Sequence, residues 1–391
     1  MLNTSFSPWP SFSQEESSAV STVLLSNKVN YWTGEEGRKF EIEFAAFSDS
    51  KYAIAVANGT VALDLALHGL SIGPGDEVIV TSRTFLASVS SIVTCGATPI
   101  FADVDENSQN ITAASIKEVI TDRTKAIVCV HLAGYPCEMD EIMSLANKRN
   151  LFVIEDCAQA HGTKYKGRSV GSIGHIGAWS FCQDKIMTTG GEGGMVTTND
   201  ESLWKKMWSY KDHGKSWDSI YNKEHPPGFR WVHDSFGSNW RLTEMQSAIG
   251  RIQLKRMAKW TKLRQANAQM IDQVCCQFRS LRLTVVPDYV EHAEYKHYMF
   301  VVPELLNVDW SRDRIVNEIN TLGVPCFQGS CSEVYLEKAF EGTDFKPKKR
   351  LAVAKNLGET SLMFLVHPTL TKDEIEKTCD AIVKVMTEAT A

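Results

Sequence analysis

Residues 177–195 run Gly177-Ala178-Trp179-Ser180-Phe181-Cys182-Gln183-Asp184-Lys185-Ile186-Met187-Thr188-Thr189-Gly190-Gly191-Glu192-Gly193-Gly194-Met195. The spacing predicts a short strand over 178–181, a turn carrying Lys185, and a second strand over 195–198. Four glycines fall within residues 190–194. That density demands close backbone approach or positive φ, which a solvated surface loop does not. Lys185 therefore belongs to a built junction between two strands.

The same grammar extends outward on both sides. Strands are expected at 52–57, 77–81, 98–102, 125–130 and 151–155, and helices at 60–70, 86–94, 113–120 and 137–148, with Gly73-Pro74-Gly75-Asp76 as a turn. Strands alternating with helices imply crossover connections, hence a mainly parallel sheet covered on both faces. Beyond Asn239 the pattern becomes one long amphipathic helix from 243 to about 264, its stripe being Met245, Ala248, Ile249, Ile252 and Met257. Strands at 283–286 and 299–302 and helices at 312–322 and 372–387 follow. The expected fold class is α/β: a large, mainly parallel α/β/α domain over 21–255 and a smaller α+β domain over 256–391. The Ser-rich residues 1–20 are expected to form an N-terminal arm or to be poorly ordered.

Composition excludes several functions. The 391 residues carry 41 Lys+Arg against 47 Asp+Glu, a net charge of −6 with no basic stripe, so nucleic acid is not expected as a partner. Neither a membrane span nor a secretory leader is visible, and the expected location is the cytoplasm. The ten cysteines show neither CxxC nor paired Cys/His spacing, so no metal site is expected.

Two further junctions bear on chemistry. Asn58-Gly59-Thr60 lies between a strand and a helix, where free N–H groups, the helix dipole and a hydroxyl suit a phosphate, although taken alone an ordinary turn with Asn58 or Thr60 as N-cap is the better reading. Glu155-Asp156 ends an apolar strand and puts Asp156 at the carboxyl edge of the sheet, where ligands bind in open parallel sheets. Such a carboxylate takes a cation, for instance a protonated pyridine nitrogen, or caps the next element. Gln159 and His161 follow and are candidates for the same cleft, although a lone histidine is more often a hydrogen-bonded structural residue. A lysine near a phosphate site and a strand-end aspartate is what an enzyme with an imine-forming cofactor requires.

The chain resembles the DegT/StrS family of nucleotide-sugar aminotransferases, fold-type I pyridoxal phosphate enzymes, from about Tyr31 to its C-terminus. The resemblance rests on Asn58-Gly59-Thr60-Val61-Ala62-Leu63, Thr84-Phe85, Gly96-Ala97-Thr98-Pro99-Ile100-Phe101-Ala102-Asp103-Val104-Asp105, Glu155-Asp156-Cys157-Ala158-Gln159-Ala160-His161-Gly162, Ser180-Phe181 with Lys185, Gly191-Glu192-Gly193-Gly194, and Asn239-Trp240-Arg241-Leu242. It implies that Lys185 forms the internal aldimine with pyridoxal 5'-phosphate and that Asp156 partners the pyridine nitrogen. Gln159 would lie near the phenolic oxygen, Phe85 would stack on the ring, and Gly59, Thr60 and Ser180 would hold the phosphate. Asn239 would reach the cofactor of a neighbouring subunit, implying a homodimer with shared active sites.

The implied reaction takes nitrogen from L-glutamate and gives it to a nucleotide-linked 3- or 4-keto-6-deoxy sugar, for a surface polysaccharide such as lipopolysaccharide O-antigen or for a glycosylated metabolite. His213, Tyr295, His297 and the 326–335 loop are the candidates for contacting the sugar. Relatives with histidine at the lysine position act as dehydratases, so Lys185 favours transamination. A dehydratase or lyase on the same scaffold and a non-catalytic ligand sensor are the rival readings.

Overall fold

The computed structural model describes residues 6–390. Its central sheet has seven strands in the order Tyr52–Val56, Gly194–Thr198, Ile176–Ser180, Phe152–Asp156, Thr124–Val130, Glu77–Thr81, Thr98–Ala102. Gly194–Thr198 runs antiparallel to both of its neighbours, and the other pairings are parallel. The mainly parallel α/β fold expected from the alternation is therefore present. Side chains alternate across the sheet: Val78 and Val80 pack with Leu65 and Ala66 on one face, whereas Ile79 and Ile127 pack with Ile142 and Leu145 on the other.

The long helix spans Glu244–Cys275, eleven residues past its expected end. Its start is fixed by a capping box in which Thr243 and Gln246 satisfy each other's backbone N–H. Lys- and Gln-rich turns hide the continuation in the sequence, but Ala268, Ile271 and Cys275 prolong the buried stripe. At its N-terminal end the helix crosses Glu36–Phe47 so closely that a Cβ on Gly250 would lie 2.6 Å from Phe40 Cζ. At its C-terminal end it covers an antiparallel sheet ordered Leu281–Leu283, His297–Val301, Ser361–Phe364, Cys326–Phe327. One rigid element thus carries the chain from the first sheet to the second. A strand expected at 283–286 falls instead at Leu281–Leu283, because the register pairs Leu281 with Val301.

Residues 1–5 of the expected N-terminal arm lie outside the described residues. The rest of the segment is an arm folded onto the protein, so of the two expected forms it is the arm and not the poorly ordered one. The Ser7 hydroxyl donates to Glu374 at 3.0 Å, and Gln14–Leu25 is helical and packs on the long helix. Trp9 meets Trp260 edge-on at 5.1 Å and stacks on His367 at 5.9 Å.

Candidate active site

A cavity of about 580 Å³ opens at the carboxyl edge of the large sheet. Its lining brings together Lys185, Asp156, Gln159 and Phe85. Gly59, Thr60 and Ser180 line it as well. These residues come from separate strand ends and turns, so the sheet itself assembles the site.

Asn58 caps the helix Gly59–Gly69 by accepting a hydrogen bond from the Val61 N–H at 2.9 Å. The N–H groups of Gly59 and Thr60 then have no intrahelical acceptor and are presented to the cavity at the positive end of the helix dipole. Gly59 is required by contact: a Cβ there would lie 2.5 Å from Ser180 Cβ. The two phosphate-type donors, one helix start and one strand-end hydroxyl, meet only because that side chain is missing.

Asp156 is the last residue of its strand and is buried. Its carboxylate accepts from the Ser88 hydroxyl at 2.7 Å and from the Ala158 N–H at 3.1 Å. Burial lifts its pKa above the usual carboxylate range, against the pull of those two donors and of Lys185. No cation lies in hydrogen-bond contact with it among the described residues. A buried carboxylate so placed, facing an open cavity of ring size beside a phosphate cradle, fits a protonated heterocycle.

Lys185 points into the same cavity, its Nζ 3.8 Å from Asp184 Oδ1 and 5.3 Å from the Tyr295 ring centroid. The Tyr295 hydroxyl donates to the other Asp184 oxygen. From outside, the Trp9 indole N–H donates to the Lys185 carbonyl at 2.8 Å. Gln159 accepts from the Ala133 N–H at 2.8 Å, which turns its own amide N–H donors toward the cleft. Phe85, 71% exposed, stands at the mouth. Ser88, Asp184 and Trp9 had no sequence signal: a helix-face serine, a surface-type aspartate and an N-terminal tryptophan become site residues only through contacts distant in the chain.

Other expected residues lie elsewhere. His161 does not enter the cavity but is buried against Phe44, Trp179 and Phe181, with both ring nitrogens unpartnered and its pKa lowered by burial to about 3. His213 is exposed, at φ 59°, and does not line the cavity. Asn239 is likewise exposed and outside it. Tyr295 does line an adjoining chamber of about 300 Å³, together with Gly329, Ser330 and Cys331 of the 326–335 loop. His297 faces away, held by Asp272 at 2.8 Å and Glu294 at 3.2 Å. Burial opposes its charge, but those two carboxylates prevail and push its pKa up to about 10. Stabilisation from this triad is complete below the unfolded value near 6.5 and is lost as pH rises through about 10. The thermal midpoint is expected to fall between pH 7 and pH 10, and His297→Gln to remove most of that slope in a melting series.

The tightest group of metal-ligand atoms among the described residues is His131, Glu155 and Cys157. Here His131 Nδ1 accepts from the Cys137 N–H at 3.1 Å, so Nε2 carries the proton and donates to Glu155 at 3.0 Å. The cluster is a hydrogen-bonded brace behind Asp156.

A family model described as the DegT/DnrJ/EryC1/StrS aminotransferase family matches residues 10–383. A GDP-perosamine synthase of Escherichia coli O157:H7 is 46% identical over 251 residues, covering 63% of this chain and 65% of that protein, just under two thirds of its length. A GDP-perosamine synthase of Caulobacter vibrioides is 36% identical over 361 residues, covering 91% of this chain and 92% of that protein. An aminotransferase from Psychrobacter cryohalolentis, solved by X-ray crystallography, superposes with a TM-score of 0.97 at 65% identity, covering 99% of this chain and 100% of that one.

Proposed function

The chain belongs to the DegT/DnrJ/EryC1/StrS aminotransferase family and is a pyridoxal-phosphate-dependent sugar aminotransferase; from that premise we propose that it moves the amino group of L-glutamate onto a nucleotide-linked 3- or 4-keto-6-deoxy sugar, with Lys185 as the cofactor-bearing lysine. The observation that carries this reading is the convergence of Lys185, Asp156 and the Gly59–Ser180 cradle on one cavity. The relatives named for GDP-perosamine favour a GDP-linked acceptor.

When bound, pyridoxal phosphate supplies an aldehyde that condenses with amines and a protonated ring that takes up the electron pair left by a departing Cα proton. The Gly59 and Thr60 N–H groups and the Ser180 hydroxyl would hold its phosphate. Asp156 would meet the ring nitrogen and keep it protonated, the cation in turn keeping the carboxylate ionised. Ser88 and Ala158 fix the orientation of that carboxylate. Gln159 would donate toward the ring oxygen, and Phe85 would cover the ring face. Lys185 would attach the cofactor through its Nζ and, when that amine is free, would serve as the base that moves the proton from the donor's Cα. Asp184 Oδ1, 3.8 Å from the Lys185 Nζ, would help hold that side chain in the cleft.

The test is a nitrogen balance. With ¹⁵N-glutamate and a GDP-linked keto-sugar, label is expected in the sugar product, with one 2-oxoglutarate formed per amino sugar. Consumption of the keto-sugar without loss of glutamate nitrogen would instead establish the dehydratase reading.

The proposed working form is a homodimer. Asn239 lies outside its own cavity and is preceded by a segment exposing Phe229 at 78%, Trp231 at 83% and Phe236 at 99%. Aromatic surface of that extent belongs against a second copy, which would carry Asn239 to the partner's phosphate site. Sedimentation of the wild type is expected to give a dimer, and Trp231→Asp with Phe236→Asp a monomer with weakened cofactor affinity. No helix among the described residues is long and apolar enough to cross a membrane, and the proposed place of action is the cytoplasm, where precursors of surface polysaccharides are made.

A further inference from the structure

Lys185 and Lys296 are the two cationic side chains that line the paired chambers of the cleft. They flank a single ring, with Lys185 Nζ 5.3 Å and Lys296 Nζ 5.0 Å from the Tyr295 centroid. Lys185 is committed to the reacting carbon. Lys296 is partly buried and makes no ion pair among the described residues. Burial lowers its pKa to about 8; Arg264 and Lys185 push the same way, and Asp184 opposes them. A cation held in such surroundings without a carboxylate against it is an unmet electrostatic demand, and an anionic ligand answers it.

Two anionic groups of the proposed substrates compete for that position: the carboxylate of the amino donor and the diphosphate of the nucleotide sugar. Lys296's chamber shares Phe85, Gln159, Asp184 and Lys185 with the main cavity. A carboxylate borne by the reacting carbon of an amino acid therefore enters it directly. A diphosphate is separated from a reacting C3 or C4 by the sugar ring, and its multiple charges would meet Glu337 and Asp184 in a chamber of about 300 Å³. With Lys185 committed to the reacting carbon, Lys296 is the one cation left in the chamber among the described residues, and a singly charged carboxylate matches it better than a diphosphate. The far wall is fixed to receive it, since the Ser330 N–H donates to the Tyr298 hydroxyl at 2.9 Å and holds the 326–335 loop against the second sheet.

We propose that Lys296 is the counter-ion for the carboxylate of the amino donor, which deepens the donor reading above and rests on it. The chamber beside Tyr295 is then the place where an amino acid is distinguished from an amino sugar, and one lysine serves one half of the reaction cycle.

The holoenzyme with Lys296→Met or Lys296→Arg tests this, read by the absorbance change of the bound cofactor on titration with L-glutamate and, in the reverse direction, with GDP-perosamine. Loss of a charge-assisted hydrogen bond predicts at least about a tenfold rise in half-saturating glutamate for K296M. Substantial recovery is expected in K296R, as is an unchanged cofactor band before donor is added, and the GDP-perosamine titration should match wild type. A glutamate response equal to wild type in K296M, or a loss confined to or equal in the GDP-perosamine arm, overturns the assignment while leaving the aminotransferase reading intact. A wild-type holoenzyme inert to glutamate overturns the donor reading and this assignment together.

Discussion

Lys185→Ala protein is expected to fold, to bind pyridoxal phosphate without the covalent link, and to lose transamination by roughly ten-thousandfold or more, since both the attachment point and the proton-transferring base disappear. Folding should survive because Lys185 sits on a turn at the cavity wall. Its Nζ lies 5.3 Å from the Tyr295 ring centroid and pairs weakly with Asp184 at 3.8 Å. The Trp9 anchor uses the backbone carbonyl and is untouched by the substitution. Turnover of glutamate and keto-sugar, measured beside circular dichroism and melting of the same protein, separates loss of chemistry from loss of structure. Exogenous small amines are expected to restore part of the rate by supplying the missing base.

The second large effect is expected at Asp156. Asn in its place keeps the Ser88 and Ala158 contacts in shape but removes the charge that the ring nitrogen meets. Breaking a buried charge pair costs about 3–5 kcal/mol, which corresponds to a loss of roughly 10²–10⁴-fold divided between cofactor affinity and kcat. In the cofactor-free protein the same substitution should be nearly neutral or stabilising, because burial already raises the Asp156 pKa. Opposite signs in apo and holo melting temperatures are thus the signature of a carboxylate held for its ligand. Equal destabilisation of both forms would mark a structural residue.

The parts of this site legible in the sequence were those encoded locally. Glu155-Asp156 follows the unbroken apolar run over 151–154, so the place of Asp156 at the strand's carboxyl edge is a matter of counting. Lys185 lies between a strand and glycines whose density has few other physical explanations. Gly59 was legible as a turn residue, but only the fold shows that Ser180 occupies the space of its missing side chain. The helix Glu36–Phe47 escaped notice because Gly37 and five charged residues dilute its stripe, and Ile42, 71% exposed, lies off the buried face. His297 looked like a substrate contact by proximity to Tyr295. His297 begins the strand His297–Val301, whose alternation turns Tyr298 to the chamber and His297 to the opposite face, where Asp272 and Glu294 claim it. Trp9 could not be found at all, since its contact with Lys185 spans 176 residues. The net charge of −6 also gave no hint of an anion site, because Lys296 acts through its local surroundings rather than through the global balance.

The most direct test of the account is where the cofactor attaches. Holoenzyme reduced with borohydride and digested should carry the pyridoxyl group on the peptide containing Lys185, at close to one group per chain. Its appearance on Lys296 or another lysine, or a chain left unlabelled despite bound cofactor, would contradict the assignment of Lys185 and the mechanism built on it.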